Sequence, residues 1–228
     1  MALLLTTALI PCISAETMKI YPSDDVFVRD RAPTTNFNSI NWERELRVGY
    51  ASTFGIDKSF LKFNLSSFKG KNITAAFLIL ECEMNQENPV IEFRSVSNNS
   101  WSEKTLTWAT APSVGSLINS INNPPLEKIK INVSAYLSGN YVSFAIVENG
   151  GSGFSKFSSK ESGMNSTDDY RWPYLEVTYS GGSCNTAADL DCNGKVSRSE
   201  LGIYITKWTS GQITRSQLSQ AIVAWMNG

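Results

Sequence analysis

The sequence predicts a mainly β protein: an antiparallel β-sandwich of jelly-roll type over residues 16–180, followed by a small α-helical domain over residues 184–228. Two observations carry this. From about residue 17 to 180, short segments rich in Val, Ile, Phe, Thr and Tyr alternate in polarity and are separated by Asn, Ser, Gly and Pro. At Ser180-Gly181-Gly182-Ser183 the composition breaks into a flexible linker, residues 181–183, after which the pattern turns helical. About eight to ten strands over ~160 residues call for two sheets packed face to face.

The candidate strands are Leu46 to Gly49, Phe60 to Leu65, Phe77 to Met84, Val90 to Val96, Lys128 to Val133, Tyr141 to Val147 and Tyr174 to Tyr179. In the third, a period of two puts Cys82 on the face of Leu78, Leu80 and Met84, with Glu81 and Glu83 opposite. That placement makes Cys82 an inert core thiol. Beyond the linker the chain repeats at a spacing of 17: Gly194, Val196, Ser197, Glu200, Leu201, Ile205 and Trp208 recur as Gly211, Ile213, Thr214, Gln217, Leu218, Ile222 and Trp225. In the second copy Leu218, Ala221, Ile222, Trp225 and Met226 form one apolar stripe, and Thr214-x-x-Gln217 is a capping box at its start. Two short helices are expected, packed together through their tryptophans.

Composition excludes several function classes. The 20 Lys+Arg against 21 Asp+Glu leave a formal charge of −1, so no bulk field draws the chain to nucleic acid or anionic lipid. With 42% hydrophobic and 18% charged residues it has the apolar surface to fold. It has no histidine, which removes histidine-dependent triads, zincin sites and most proton shuttles.

Residues 1–15 carry no charge and end in the small Ser14-Ala15 after Pro11, which reads as a signal peptide; a buried N-terminal strand is the alternative. The stretch is shorter than the ~20 residues of a membrane-spanning helix, and no later segment is long and apolar enough. The expected location is extracellular, secreted or at the cell surface. Pro11 makes Cys12 a poor lipidation site. Cleavage leaves Cys82, Cys184 and Cys192, and the last two, eight residues apart, are expected to form a disulfide. Asn-x-Ser/Thr sequons at Asn64, Asn72, Asn98, Asn132 and Asn165 are candidate glycan acceptors.

Asp189-x-Asp191-x-Asn193-Gly194, with Glu200 closing the pattern, matches the twelve-residue EF-hand loop. Alternate side chains of a tight loop converge on one hard cation. Gly194 permits the turn, Lys195 offers its backbone carbonyl, Ser197 stands at position nine, and Glu200 closes the shell from the helix. One structural calcium ion is expected. The competing reading is that Ser197-x-x-Glu200 is only a capping box. In the second repeat Thr206, Trp208 and Ser210 occupy the ligand positions, so that half binds no calcium.

The large domain resembles the DNRLRE family, a carbohydrate-binding-module-like sandwich related to disaggregatase repeats. The likeness is carried by Asp25-Val26-Phe27-Val28, Asn36-Phe37-Asn38, Leu61-Lys62-Phe63-Asn64-Leu65-Ser66, Ile73-Thr74-Ala75-Ala76-Phe77-Leu78, Trp101-Ser102-Glu103 to Trp108 with Pro112, Phe157 to Ser162, and Pro173-Tyr174-Leu175-Glu176-Val177-Thr178-Tyr179. The chain departs from the family by Asn38 for glycine, Asn64 for aspartate and Lys160 for arginine. The tail resembles dockerin-like EF-hand repeats, with a single intact loop. These resemblances imply a polysaccharide or surface glycan as ligand of the sandwich, and a cohesin-like or envelope protein as a partner for the tail.

Sugar sites stack pyranose rings on exposed aromatics beside polar groups, which singles out Trp42 with Arg44 and Tyr170 with Trp172. For an acidic polymer, Arg29, Arg31, Lys156 and Lys160 join Arg44 as partners for carboxylates, against the plainer reading that they are solvated charges. Trp101, Glu103 and Trp108 read as a structural corner. No set of residues assembles an acid, a base and a charge neutraliser, and Glu81 and Glu83 lie too close along one strand face to straddle a sugar, so the expected role is non-catalytic binding. A structural or adhesive scaffold protein and a lyase or glycosidase accessory are the alternatives.

Overall fold

The structure, a computed structural model, describes residues 15–39, 45–162, 171–180, 186–190 and 195–227. Residues 1–14 of the expected signal peptide, residues 181–183 of the expected linker and both cysteines of the expected disulfide lie outside the described residues. The chain divides into two compact units, one made of Thr17–Lys69 and Ala75–Val177, the other including Thr178–Gly228.

The larger unit is a curled antiparallel β structure, consistent with the expected sandwich. Its strands are β1 (Glu16–Ile20), β2 (Asp24–Arg29), β3 (Glu45–Ala51), β4 (Gly55–Asn64), β5 (Asn72–Gln86), β6 (Val90–Val96), β7 (Leu117–Asn122), β8 (Lys128–Asn132), β9 (Tyr141–Glu148), β10 (Phe154–Ser158) and β11 (Tyr174–Ser180). The order is β1-β11-β5-β10-β3-β4-β9-β6-β7, with β2 also on β4 and β8 also on β5. The two sheets expected from the sequence are joined because β5 serves both. Its stretch Phe77–Glu81 pairs with β8, and Cys82–Gln86 pairs with β10. A register shift between Lys156 and Phe157 accompanies that handover.

Alternation explains the core. Ala76, Leu78, Leu80 and Cys82 of β5 are buried while Glu83 is exposed. Val26, Val28, Phe60, Val96, Trp101, Leu106 and Ala145 form one cluster, against which Trp108 packs. The Trp101 indole donates to Ser143 Oγ at 3.1 Å, so this large ring is buried without an orphaned N–H. Gly49 is obligatory: its φ is +107°, and a Cβ there would sit 2.1 Å from the carbonyl oxygen of Gly153. Its neighbour Tyr50 donates to that same carbonyl at 2.9 Å.

Three sequons serve as turns. Asn64, Asn98 and Asn132 are exposed, and each Oδ1 accepts from the backbone N–H two residues on, at Ser66, Ser100 and Ser134. Asn72 is also exposed, and Asn165 lies outside the described residues.

The tail holds α1 (Arg198–Thr209) and α2 (Arg215–Met226). Both begin with reciprocal capping boxes, Ser197 with Glu200 and Thr214 with Gln217. Their shared core is Ala188, Val196, Leu201, Tyr204, Leu218 and Ala221. The tryptophans do not form it: Trp208 is 43% and Trp225 41% exposed. Leu201 and Tyr204 of α1 meet Leu218 and Ala221 of α2, with Ala224 packed against them, and each tryptophan stands seven residues past Leu201 or Leu218.

Candidate functional site

The β3–β4 connection, the end of β5 and the start of β10 enclose a cleft of about 540 Å³. That volume falls within the roughly 300–1,000 Å³ of small-ligand sites. Tyr50, Phe54, Met84 and Phe154 supply its apolar surface, and Arg47, Lys156, Gln86, Glu87 and Ser152 its polar groups. The local sequence builds it. Gly49 brings β3 against Gly153, Gly55 takes φ +90° at the start of β4, Tyr50 stands near the end of β3, and Phe54 lies in the short connection between the two strands.

A buried ionic group stands behind the rings. Asp57, 1% exposed, accepts from Arg29 Nε at 2.7 Å, from Arg29 Nη2 at 2.8 Å and from Arg47 Nε at 3.2 Å. The Arg47 guanidinium lies 5.0 Å from the ring centres of both Phe54 and Phe154, and Arg29 lies 4.5 Å from that of Phe54. Burial pushes the Asp57 carboxyl above its ordinary value against the pull of Arg29 and Arg47, and burial lowers Arg47. The two arginines thus both lie over the Phe54 ring, which lines the cleft. At the rim, Lys156 Nζ lies 2.9 Å from Glu45 Oε1. Its side chain is 22% exposed.

The sequence-derived candidates fare unevenly. Lys156 lines the cleft. Arg29 is buried against Asp57 and three phenylalanine rings, and Arg31 donates to the Ser52 carbonyl at 2.7 Å. Trp172 is half-buried: its N–H donates to Ser162 O at 2.5 Å and its ring meets Tyr21 edge-on at 5.6 Å. Lys160 turns into a group of carboxyls. Trp42, Arg44 and Tyr170 lie outside the described residues. Arg47, Tyr50, Phe54, Gln86 and Glu87 were missed. The available signal was Gly49-Tyr50-Ala51-Ser52-Thr53-Phe54-Gly55, two aromatics in a glycine-bracketed connection.

Of the EF-hand positions, Asp191 and Asn193 lie outside the described residues. Asp189 and Glu200 are buried at 2% and 6% exposure, while Lys195 and Ser197 are exposed. Glu200 accepts from the N–H of Leu190 at 2.8 Å and of Ser197 at 2.7 Å, so it both caps α1 and reaches back to the start of the loop.

Residues 16–178 match carbohydrate-binding module family 96. The chain belongs to that family. The match covers the strands and the cleft and stops before the helices. As a family 96 module the chain is a carbohydrate-binding protein, in keeping with the sugar-binding part of the expected function. A gellan lyase of Bacillus sp is 28% identical over 109 residues. The aligned part is 46% of this chain and 4% of that relative. Among the described residues no helix is long and apolar enough to cross a membrane.

Proposed function

We propose that the chain is an exported, non-catalytic module that holds a segment of an acidic polysaccharide in the cleft and carries a calcium-stabilised, dockerin-like tail. The observation behind the first part is the pairing of aromatic surface, Tyr50 and Phe54, with the partly exposed side chain of Lys156. Rings give a pyranose an apolar face to stack on, and a cation beside them favours a carboxylated sugar. The lyase relative, named for gellan, supports a polysaccharide as the ligand. Affinity electrophoresis of the chain on acidic and neutral polysaccharides tests this. Tyr50→Ala and Lys156→Ala should each weaken retardation on the acidic polymer by at least about tenfold. Unchanged retardation in both variants overturns the cleft as the site.

For the tail, two buried carboxyls facing one loop, Asp189 and Glu200, fit an all-oxygen calcium shell completed by Asp191, Asn193, the Lys195 carbonyl and Ser197. Chelation should cost the tail its helical signal, and a far-UV spectrum unmoved by chelator overturns the assignment. A second reading, a surface scaffold that docks through the tail, is favoured by the exposure of Ile205, Trp208, Ile222 and Trp225, equivalent positions of the two repeats.

A further inference from the structure

Trp172, singled out from the sequence, does not line the cleft and stands instead in a group of rings on the outer face of the β unit. Tyr174 and Glu176 of β11 alternate with buried Leu175 and Val177, and Lys128 and Lys130 of β8 alternate with buried Ile129 and Ile131. Those four side chains therefore point away from the core. Trp172 comes just before β11, and Tyr21 comes just after β1, the strand beside β11. The Tyr21 ring meets that of Trp172 at 5.6 Å between centres and that of Tyr174 at 6.3 Å, edge-on in both cases. Two ammoniums flank the group: Lys19 Nζ is 4.6 Å and Lys128 Nζ 5.8 Å from the centre of the Tyr174 ring.

The rings keep part of their surface in water: Tyr21 is 36% exposed, and Trp172 and Tyr174 are half-buried. The charges around them are unevenly matched. Lys130 is taken by Glu176 at 2.6 Å, and Glu81 stands opposite Lys128 in the β5–β8 register. Lys19 is exposed, and among the described residues no carboxylate forms an ion pair with it. It can meet a ligand carboxylate without giving one up, whereas Lys156 in the cleft shares its ammonium with Glu45. Aromatic surface suits the apolar face of a pyranose, and a cation beside it suits a carboxylated one. We propose that Tyr21, Trp172, Tyr174 and Lys19, with Lys128 beside them, form a second binding site for an acidic polysaccharide. This rests on the reading of the chain as a binder of acidic glycans, but not on the cleft being where it binds them.

Acetylation of the lysines of the full chain, read by peptide mass spectrometry with and without polygalacturonate, tests both sites in one run. With the polymer well above its dissociation constant, Lys19 should label at least about threefold more slowly, while the exposed Lys104 should not change. Lys156 reports on the cleft. Protection of Lys156 without Lys19 overturns the second site and leaves the cleft standing, protection of Lys19 without Lys156 does the reverse, and protection of neither overturns both. Protection of Lys19 that grows with protein concentration in the absence of polymer would mean that a second copy covers the rings, and also overturns the proposal. Tyr21→Ala should weaken retardation on polygalacturonate by about threefold to tenfold, on top of the effect of Tyr50→Ala. Unchanged retardation in Tyr21→Ala overturns the second site. The acetylation arm uses the unmodified chain and so does not depend on the variant folding.

Discussion

Arg47 and Cys82 sit in neighbouring stretches of the same ladder system and show what alternation does and does not disclose. Cys82 obeys the period-two rule and is buried with Leu78 and Leu80, as read from the sequence. Arg47 sits between Leu46 and Val48, where the same rule assigns it to solvent, yet it is 4% exposed. Phe54 and Phe154 cover the second face of β3, and Asp57 repays the charge. No local pattern records that cover, because its residues come from 7 to 107 positions away. The thiol gives a pH prediction. Burial pushes Cys82 up to about 11 from 9.0, with Glu81 and Glu83 adding to the rise. A raised acid stabilises the fold in its protonated form, so that contribution is complete below pH 9.0 and is lost as pH climbs through about 11. At pH 8 the Cys82 peptide should therefore resist alkylation in the native protein and label fully in denaturant, as read by peptide mass spectrometry. Rapid native labelling would show that this thiol is open.

At the level of elements, most strands that alternate were legible; β2 and β10, buried along nearly their whole length, were not, and neither were β1 and β7. The burial patterns of the last two are almost wholly exposed and half-exposed, and β7 reads Leu-Ile-Asn-Ser-Ile-Asn, so no apolar face marks them. Such strands are held by a neighbour's hydrogen bonds, β7 by β6. The capping boxes of both helices were legible because they are local. The tryptophan contact was not, because an apolar stripe fixes a face of the helix but not the length over which a partner covers it. That difference has a measurable consequence. Leu201→Ala or Leu218→Ala, each opening the small tail core, should cost about 2–5 kcal/mol and remove the helical transition. Trp208→Ser with Trp225→Ser should cost each less than about 1 kcal/mol. Circular dichroism melts of the full chain distinguish them, and collapse of the helices in the tryptophan pair would mean that their rings carry the packing after all.

For the molecule as a whole, the sandwich class follows from many short alternating segments. The cleft does not, since it joins positions 47 to 54, 84 to 87 and 152 to 156, which only the strand order β5-β10-β3 brings together. Charge is the remaining whole-molecule property. At a net −1 the chain has no long-range field to gather a polyanion, so attraction to an acidic glycan rests on a few local groups, above all Lys156 at the cleft. Interactions of that kind are screened over a Debye length of about 8 Å at physiological salt and about 3 Å at 1 M. Ring stacking is not screened in this way. Retardation on an acidic polysaccharide should therefore fall as sodium chloride is raised from 0.05 to roughly 0.5 M, by about threefold to tenfold rather than to nothing. In Lys156→Ala the remaining retardation should change less over the same range. A wild-type affinity indifferent to salt would place the binding energy in apolar contact alone and remove the reason for assigning the ligand a charge.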